Sequence, residues 1–486
     1  MSVEVDVSFG LPALVMVGLP DAAVRESRDR VRAAIRNSGF DFPQQRVTVN
    51  LAPADVRKAG TSFDLPIALG VLAATGVLHA RAIPDLLVIG ELSLDGSMQP
   101  TRGVLPVAAG ALRDGMRRLL LPAVNAGEAS IVDGLSLLPV ESLQEAVAVL
   151  NAERLPRPVT RPPPPAAADP GGDLADVHGQ MLARRALELT AAGGHNLLLI
   201  GPPGTGKTML ARRLPGLLPP MSLAEALEVT TVHSVAGLLP GGGGLLMWRP
   251  FRAPHHTISD AALAGGGSNP RPGEISLAHH GVLFLDEVPE FSRRALEVLR
   301  QPLEHGTIAV ARASRSATFP AQFMLAAAMN PCPCGYHGDP HRACRCTPGQ
   351  VLRYTQRLSG PLRDRIDIVV PVAAVPAREL DTAAAGEPTA AVRLRVAAAR
   401  ARQHRRQGDR TNARLEPALL RSSTIGVTAD ARVLAARAAE RLRLSARGFH
   451  RLLRLARTVA DLVASDAVEA SHVAEALHFR AESDER

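Results

Sequence analysis

Lysine is almost missing from this chain. Of its 55 basic residues only Lys58 and Lys207 are lysine, so the compact ammonium group has been kept at just two places. Cysteine is as restricted. All four, Cys332, Cys334, Cys344 and Cys346, fall in one stretch, "CPCGYHGDPHRACRC". That pattern argues against a disulfide framework and for a reducing, cytoplasmic setting. Aromatic residues make up only 3%, which argues against nucleic-acid binding built on stacked rings. Long apolar runs are lacking too. The longest uncharged one, residues 65–78, is broken by glycines and is shorter than the roughly 20 residues needed to cross a bilayer. The opening "MSVEVDV" carries acids and does not read as a secretion signal, so no membrane association is expected.

What is present suits a globular protein of two to four domains, 46% hydrophobic and 21% charged. The formal charge is +8, unevenly spread. Residues 1–153 hold 13 basic and 17 acidic side chains, so the excess lies after them. A basic C-terminal two-thirds fits a polyanion partner, most simply nucleic acid, but a solvated arginine-rich surface would look the same.

A proline-rich segment, residues 154–172, reads as an extended linker. Before it, "VEVDVSF" alternates like a half-buried strand and "RVTVNLA" (46–52) like another. Between them residues 21–39 form an amphipathic helix, with Asp21 placed to cap it and Gly39 to end it. After the linker a helix over 183–194 leads into the apolar strand "NLLLI" (196–200). From about residue 376 the pattern is helical, best defined over 443–465.

The segment "GPPGTGKT" joins that strand to a helix, the setting a phosphate-binding loop requires. The backbone of Gly201, Pro202, Pro203, Gly204, Thr205 and Gly206 would cradle phosphate oxygens, with Lys207 between the outer phosphates. The Thr208 hydroxyl would bind Mg²⁺. Downstream, "GVLFLDE" (281–287) is a buried strand ending in two acids. Asp286 would complete the Mg²⁺ site, and Glu287 would polarise the attacking water.

These two motifs resemble the AAA+ ATPases. The resemblance implies roles for four further residues. Asn330, ending "QFMLAAAMN" (322–330), matches the polar sensor beside the lytic water. Arg365 in "GPLRDRID" matches the arginine finger, which acts on the nucleotide of a neighbouring subunit. Arg447 in "SARG" matches a second sensor, with Arg451 one turn on as its rival.

The likeness narrows further. "FRAPHHTISDAALAGGG" (251–267), "RPGEISLAHHGVLFLDE" (271–287), "AAMNPCPCG" (327–335) and "RLSGPLRDRID" (357–367) resemble the YifB/ComM family of magnesium-chelatase-like AAA+ proteins. Two N-terminal stretches, 17–40 and 49–70, match as well. Family members begin further upstream, so the chain is expected to start within a second strand.

The implied architecture is α/β. It has an N-terminal Lon-protease-like α+β domain (1–153), a P-loop core with a parallel sheet (173–375) interrupted by the cysteine segment (332–346), and a C-terminal helical lid (376–486). The implied activity is ATP hydrolysis by a homo-hexamer that moves on DNA at branched or single-stranded regions, with ATP and Mg²⁺. A hairpin over 306–323 would place Arg312 and Arg315 where a ring channel grips phosphates. The basic helix 393–410 is either a second DNA contact or a solvated connector.

Two rivals remain. One is a chelatase-type motor that remodels a protein. The other is a Lon-type protease, because "KAGTSFDLP" (58–66) puts Ser62 at the nucleophile's place. There the lysine base aligns with Leu105, which cannot accept a proton, so protease chemistry is not expected. The cysteines form a C-x-C…C-x-C set suited to a closed structural zinc site, with His337 and His341 as spare ligands.

Overall fold

The apolar runs beside the nucleotide motifs form one parallel sheet. In the computed structural model its five strands run in the order Phe251–Arg252, Val282–Leu285, Met324–Met329, Leu197–Ile200, Ile368–Pro371. All four pairings are parallel. "VLFL" and "MLAAAM" are buried at every position, as strands covered on both faces must be. The structure describes all residues except 56, 57, 59, 80–82, 84, 166–170, 241, 242, 268, 269, 313, 314, 376–385 and 481–486.

Two compact units are present: residues 1–166 with 226–247, and residues 167–225 with 248–486. The sequence between the phosphate-binding loop and the acidic strand thus contains a segment that packs with the N-terminal unit. Its anchor is polar. Ser234 bonds the buried Glu128 carboxylate, and the Gly103 N–H donates to the Ser234 carbonyl at 3.2 Å.

The first unit holds two three-stranded sheets. Arg46–Ala52 runs antiparallel to Ser2–Ser8 and parallel to Ala13–Val17. Arg118–Pro122 lies parallel between Leu86–Val88 and Ser136–Val140. The helix Ala22–Asn37 starts where Asp21 accepts the Val24 N–H at 2.9 Å. At Asp64 a buried carboxylate accepts two guanidinium bonds from Arg30, at 2.9 and 3.1 Å.

In the second unit, Met181–Gly193 and Lys207–Leu217 share one apolar core with the lid helices Thr389–Gln407, Ala429–Arg441, Ala446–Leu462 and Ala470–His478. A second core lies among residues 263–366 and Leu198. Among the described residues no helix is long and apolar enough to cross a membrane.

The lid contains a buried ionic knot. Asp461 is fully buried and accepts from Arg457 at 2.9 Å, from both terminal nitrogens of Arg406 at 2.7 and 2.8 Å, and from Asn412 at 2.8 Å. Burial pulls the Arg457 guanidinium down, and Asp461 opposes that. Asp461→Ala would leave a buried arginine without its counter-charge. The expected cost is about 3–5 kcal/mol, read from urea unfolding followed by circular dichroism.

Candidate nucleotide site

The site forms at the carboxyl ends of the parallel strands, where open α/β sheets bind ligands. Gly201 follows Leu197–Ile200 and must lack a side chain: a Cβ there would lie 2.1 Å from the Val372 carbonyl oxygen. Gly206 caps the helix Lys207–Leu217 at φ +86°, a conformation L side chains rarely adopt. The first N–H groups of that helix have no intrahelical partner, which makes its N-terminus a natural anion cradle. Thr205 Oγ1 closes the loop by donating to the Pro202 carbonyl at 3.0 Å.

Lys207 lies nearly buried inside this loop. Its ammonium donates to the carbonyls of Gly201 and Pro202 at 2.7 and 2.8 Å and to Asn330 Oδ1 at 3.2 Å. Burial lowers its affinity for the proton, and Asp286 and Glu287 pull the other way. Asn330 and Lys207 are therefore in direct contact.

Thr208 Oγ1 donates to Asp286 Oδ2 at 2.6 Å. A hydroxyl and a carboxylate side by side supply the hard oxygen donors that Mg²⁺ prefers. Glu287 turns into left-handed backbone at φ +51°, and its N–H donates to Asp286 Oδ1 at 3.0 Å. Its half-exposed carboxylate meets His256 Nδ1 at 3.5 Å. The His256 ring packs on His255, centroids 4.1 Å apart, and edge-on to Phe291.

In the sequence the only signal at His256 is the His255–His256 doublet. Tyr354 carries none and is buried beside the Asn330 backbone N–H. Burial, helped by Glu290, pushes that phenol up to about 12.

Arg365 follows the short helix Gly360–Arg363. It donates to the Pro361 carbonyl at 2.6 Å and pairs with Glu304 at 2.8 Å. Arg447 is exposed in the first turn of Ala446–Leu462, where Ser445 caps the helix by accepting the Gly448 N–H at 3.1 Å. Its rival Arg451 is buried and reaches Asp364 at 3.4 Å and the Ile366 carbonyl at 3.3 Å. Arg451 therefore ties the lid helix to the segment that carries Arg365.

Arg312 and Arg315 stand opposite each other at the end of the hairpin Thr307–Arg312 and Arg315–Pro320. Their side chains lie outside the described residues.

In the arginine-rich helix Thr389–Gln407, several guanidinium groups turn inward. Arg395 meets Glu188 at 2.6 Å and also pairs with Glu387. Arg400 donates to the Ala191 carbonyl at 2.8 Å, and burial draws it down to about 10. Arg402 pairs with Asp466, and Arg406 belongs to the Asp461 knot. These four serve as struts of the lid.

The four cysteines come together two residues beyond Asn330. Cys332 Sγ lies 3.4 Å from Cys334 and 3.7 Å from Cys344, and the Cys334–Cys344 separation is 3.7 Å. All four sulfurs lie within 4.8 Å of one another, and none is in a disulfide. Backbone N–H groups of Arg345 and Tyr336 draw the Cys334 thiol down to about 6. The cluster is assembled from cysteines alone; His341 is exposed, its N–H bonded to Asp339.

Comparison with known proteins agrees along the length of the chain. Family models described as magnesium chelatase subunit ChlI match residues 173–380, with the ChlI subunit model over 3–125 and the ChlI C-terminal model over 386–480. The chain is 46% identical over 486 residues to YifB of Escherichia coli and 45% over 489 residues to the competence protein ComM of Haemophilus influenzae. Each alignment covers 99% of this chain and 94% of the relative.

The chain belongs to the YifB/ComM family of magnesium-chelatase-like AAA+ proteins.

Shorter matches link it to a Lon protease of Methanosarcina barkeri, 26% over 163 residues, covering 32% of this chain and 19% of that protein. The DNA repair protein RadA of E. coli matches at 29% over 143 residues, 29% of each chain. In the first unit Leu105 is buried, and Lys58 is fully buried with its ammonium on the Pro53 carbonyl. Neither offers Ser62 a proton acceptor.

His256 Nδ1 lies 3.5 Å from the Glu287 carboxylate, on a neighbouring loop. His256→Ala is expected to lower kcat for ATP hydrolysis, by up to about a hundredfold if the carboxylate swings out of place. KM for ATP should stay near the wild-type value; steady-state kinetics checks that split.

Proposed function

We propose that the chain is a cytoplasmic, Mg²⁺-dependent ATPase that forms a homo-hexamer and drives DNA movement, with branched junctions as its substrate. The observation that carries this is the contact of three motifs at neighbouring strand ends. Lys207 bonds Asn330, and Thr208 bonds Asp286 beside Glu287.

In this reading the Gly201–Thr208 backbone and Lys207 bind the phosphates. Glu287 accepts the proton of the attacking water while Asn330 orients that water. Thr208 and Asp286 would hold Mg²⁺, which supplies charge neutralisation at the phosphates. Arg365, whose described bonds are to Pro361 and Glu304, would be lent to the neighbouring subunit's nucleotide, and Arg447 would contact phosphate in its own subunit. Arg312 and Arg315 would track the DNA backbone.

The four-thiol cluster belongs to the same reading as a structural zinc site. Support for DNA comes from the basic excess after residue 153, the competence-protein relative and the match to a DNA repair protein. The match to chelatase subunit models favours a second reading, a motor that remodels a protein partner.

Branched DNA should stimulate ATP turnover, and the stimulation should weaken as salt rises. Indifference to single-stranded, duplex and branched DNA would favour the chelatase-type motor. Junction unwinding should vanish in Lys207→Ala, which loses nucleotide binding. Glu287→Gln should bind ATP yet hydrolyse it about 10²- to 10⁴-fold more slowly. Mixing tests the shared finger. Arg365→Ala and Lys207→Ala proteins, each inactive alone, should regain activity together, because some interfaces then pair an intact cradle with an intact arginine. No recovery would remove Arg365 from that role.

A further inference from the structure

The cysteine segment lies directly against the phosphate cradle. The Gly335 N–H donates to the Cys332 carbonyl at 2.9 Å, and Gly335 adopts φ +87°. A Cβ on Gly335 would fall 2.5 Å from Pro203 Cδ and 2.8 Å from Cγ. The turn that brings Cys332 and Cys334 together therefore rests on the cradle proline. That proline follows Pro202, whose carbonyl holds Lys207 at 2.8 Å. On the other side of Cys332 is Asn330, which bonds the same ammonium at 3.2 Å. The segment thus touches the cradle twice within six residues.

It has little else to hold its shape. From 331 to 347 the only aliphatic side chain apart from the prolines is Ala343. Besides the sulfurs, a prominent side-chain contact is Arg342 over the Tyr336 ring, 4.2 Å to the centroid. A loop without an apolar core of its own needs a staple. Tetrahedral zinc with bonds of about 2.3 Å sets its sulfur ligands about 3.8 Å apart. Three of the separations here are 3.4, 3.7 and 3.7 Å. Cys332 is fully buried and the other three half-buried, as in a closed site without an open coordination position.

We propose that this zinc clasp governs nucleotide binding: the metal-held turn buttresses Pro203 and Asn330, and losing the metal loosens the grip of the cradle on ATP. The inference rests on the zinc reading above and adds its consequence. Cys332, Cys334, Cys344 and Cys346 are the ligands, and Gly335 is the positioning residue that transmits their geometry.

The test uses the full chain purified without chelator. Zinc is counted by mass spectrometry, and affinity is measured with a fluorescent ATP analogue. About one zinc per chain is expected. Stripping it with an organomercurial, then removing the mercurial with excess thiol and desalting, should weaken the analogue about three- to tenfold, and re-adding zinc to the freed thiols should restore binding. Gly335→Ala keeps all four ligands. It should retain zinc, yet weaken the analogue to a similar degree, because its methyl group displaces Pro203. That variant decides the matter even if stripped protein unfolds. Absence of zinc would overturn the metal reading itself. Zinc present, with unchanged affinity in Gly335→Ala, would leave the metal site standing and overturn the coupling alone.

Discussion

One side-chain amide sets the geometry on which the nucleotide site depends. Asn196 stands just before the strand Leu197–Ile200 and reaches one neighbouring strand and the turn that leads into the other. Its Oδ1 accepts the Leu325 N–H at 2.9 Å, and its Nδ2 donates to the Arg365 carbonyl at 2.7 Å. Its own N–H donates to Asp367 Oδ2 at 3.1 Å, while its carbonyl accepts from Asp367 and Ile368. A parallel sheet of mostly aliphatic strands has no side-chain pattern that forbids sliding, because every face is buried. The amide supplies that constraint. With register fixed at one end, Gly201, Asn330 and Val372 emerge together at the other. Asp367 adds a tie to the lid through His195, whose other ring nitrogen meets Thr458 at 2.8 Å. Burial opposes ionisation of Asp367, but the nearby His195 ring and the Asn196 N–H hold its carboxyl below the usual range.

The parts of the site that were legible in the sequence are those whose chemistry is local. A strand, a glycine loop and a helix start are consecutive residues, so "NLLLIGPPGTGKT" announces its own conformation. Asp286 and Glu287 end a continuous apolar run and read the same way. The helix start at Asp21 was legible because a cap acts within three residues. What stayed hidden depends on distant segments. His256 and Glu287 are 31 positions apart, and nothing along the chain says that their side chains meet. Arg451 resembles a sensor one turn along the lid helix, yet burial beside Asp364 commits it to holding that helix in place. Membership of 226–247 in the N-terminal unit is invisible for the same reason: the segment is recognised by Glu128, about a hundred residues earlier.

The arginine excess also changes meaning once partners are known. Net charge suggested a polyanion, but Arg395, Arg400, Arg402 and Arg406 are bound within the second unit, to the lid and to the helix Met181–Gly193. A planar guanidinium with five donors can brace several carbonyls and carboxylates at once, which an ammonium does less well. The two retained lysines do the opposite job. Lys207 and Lys58 each place a narrow cation against backbone carbonyls in a tight, buried space. A guanidinium would be too broad there. Lysine scarcity thus marks geometry: arginine wherever there is room for a fork, lysine where there is not.

That contrast bears on how such a site could be controlled. A lysine held by two loop carbonyls and Asn330 has its position set in advance, and one of those three bonds would have to yield to a phosphate. Pre-organisation has to be supported from behind. At Asn330 the support is the central sheet; at Pro203 it is the turn at Gly335. The sheet is buried on both faces and cannot yield without losing the core. The turn belongs to a segment with four sulfurs and almost no apolar content, so its stability is separable from that of the core. Of the two walls of the cradle, the one at Asn330 thus rests on the buried sheet, and the one at Pro203 on a segment with little apolar content.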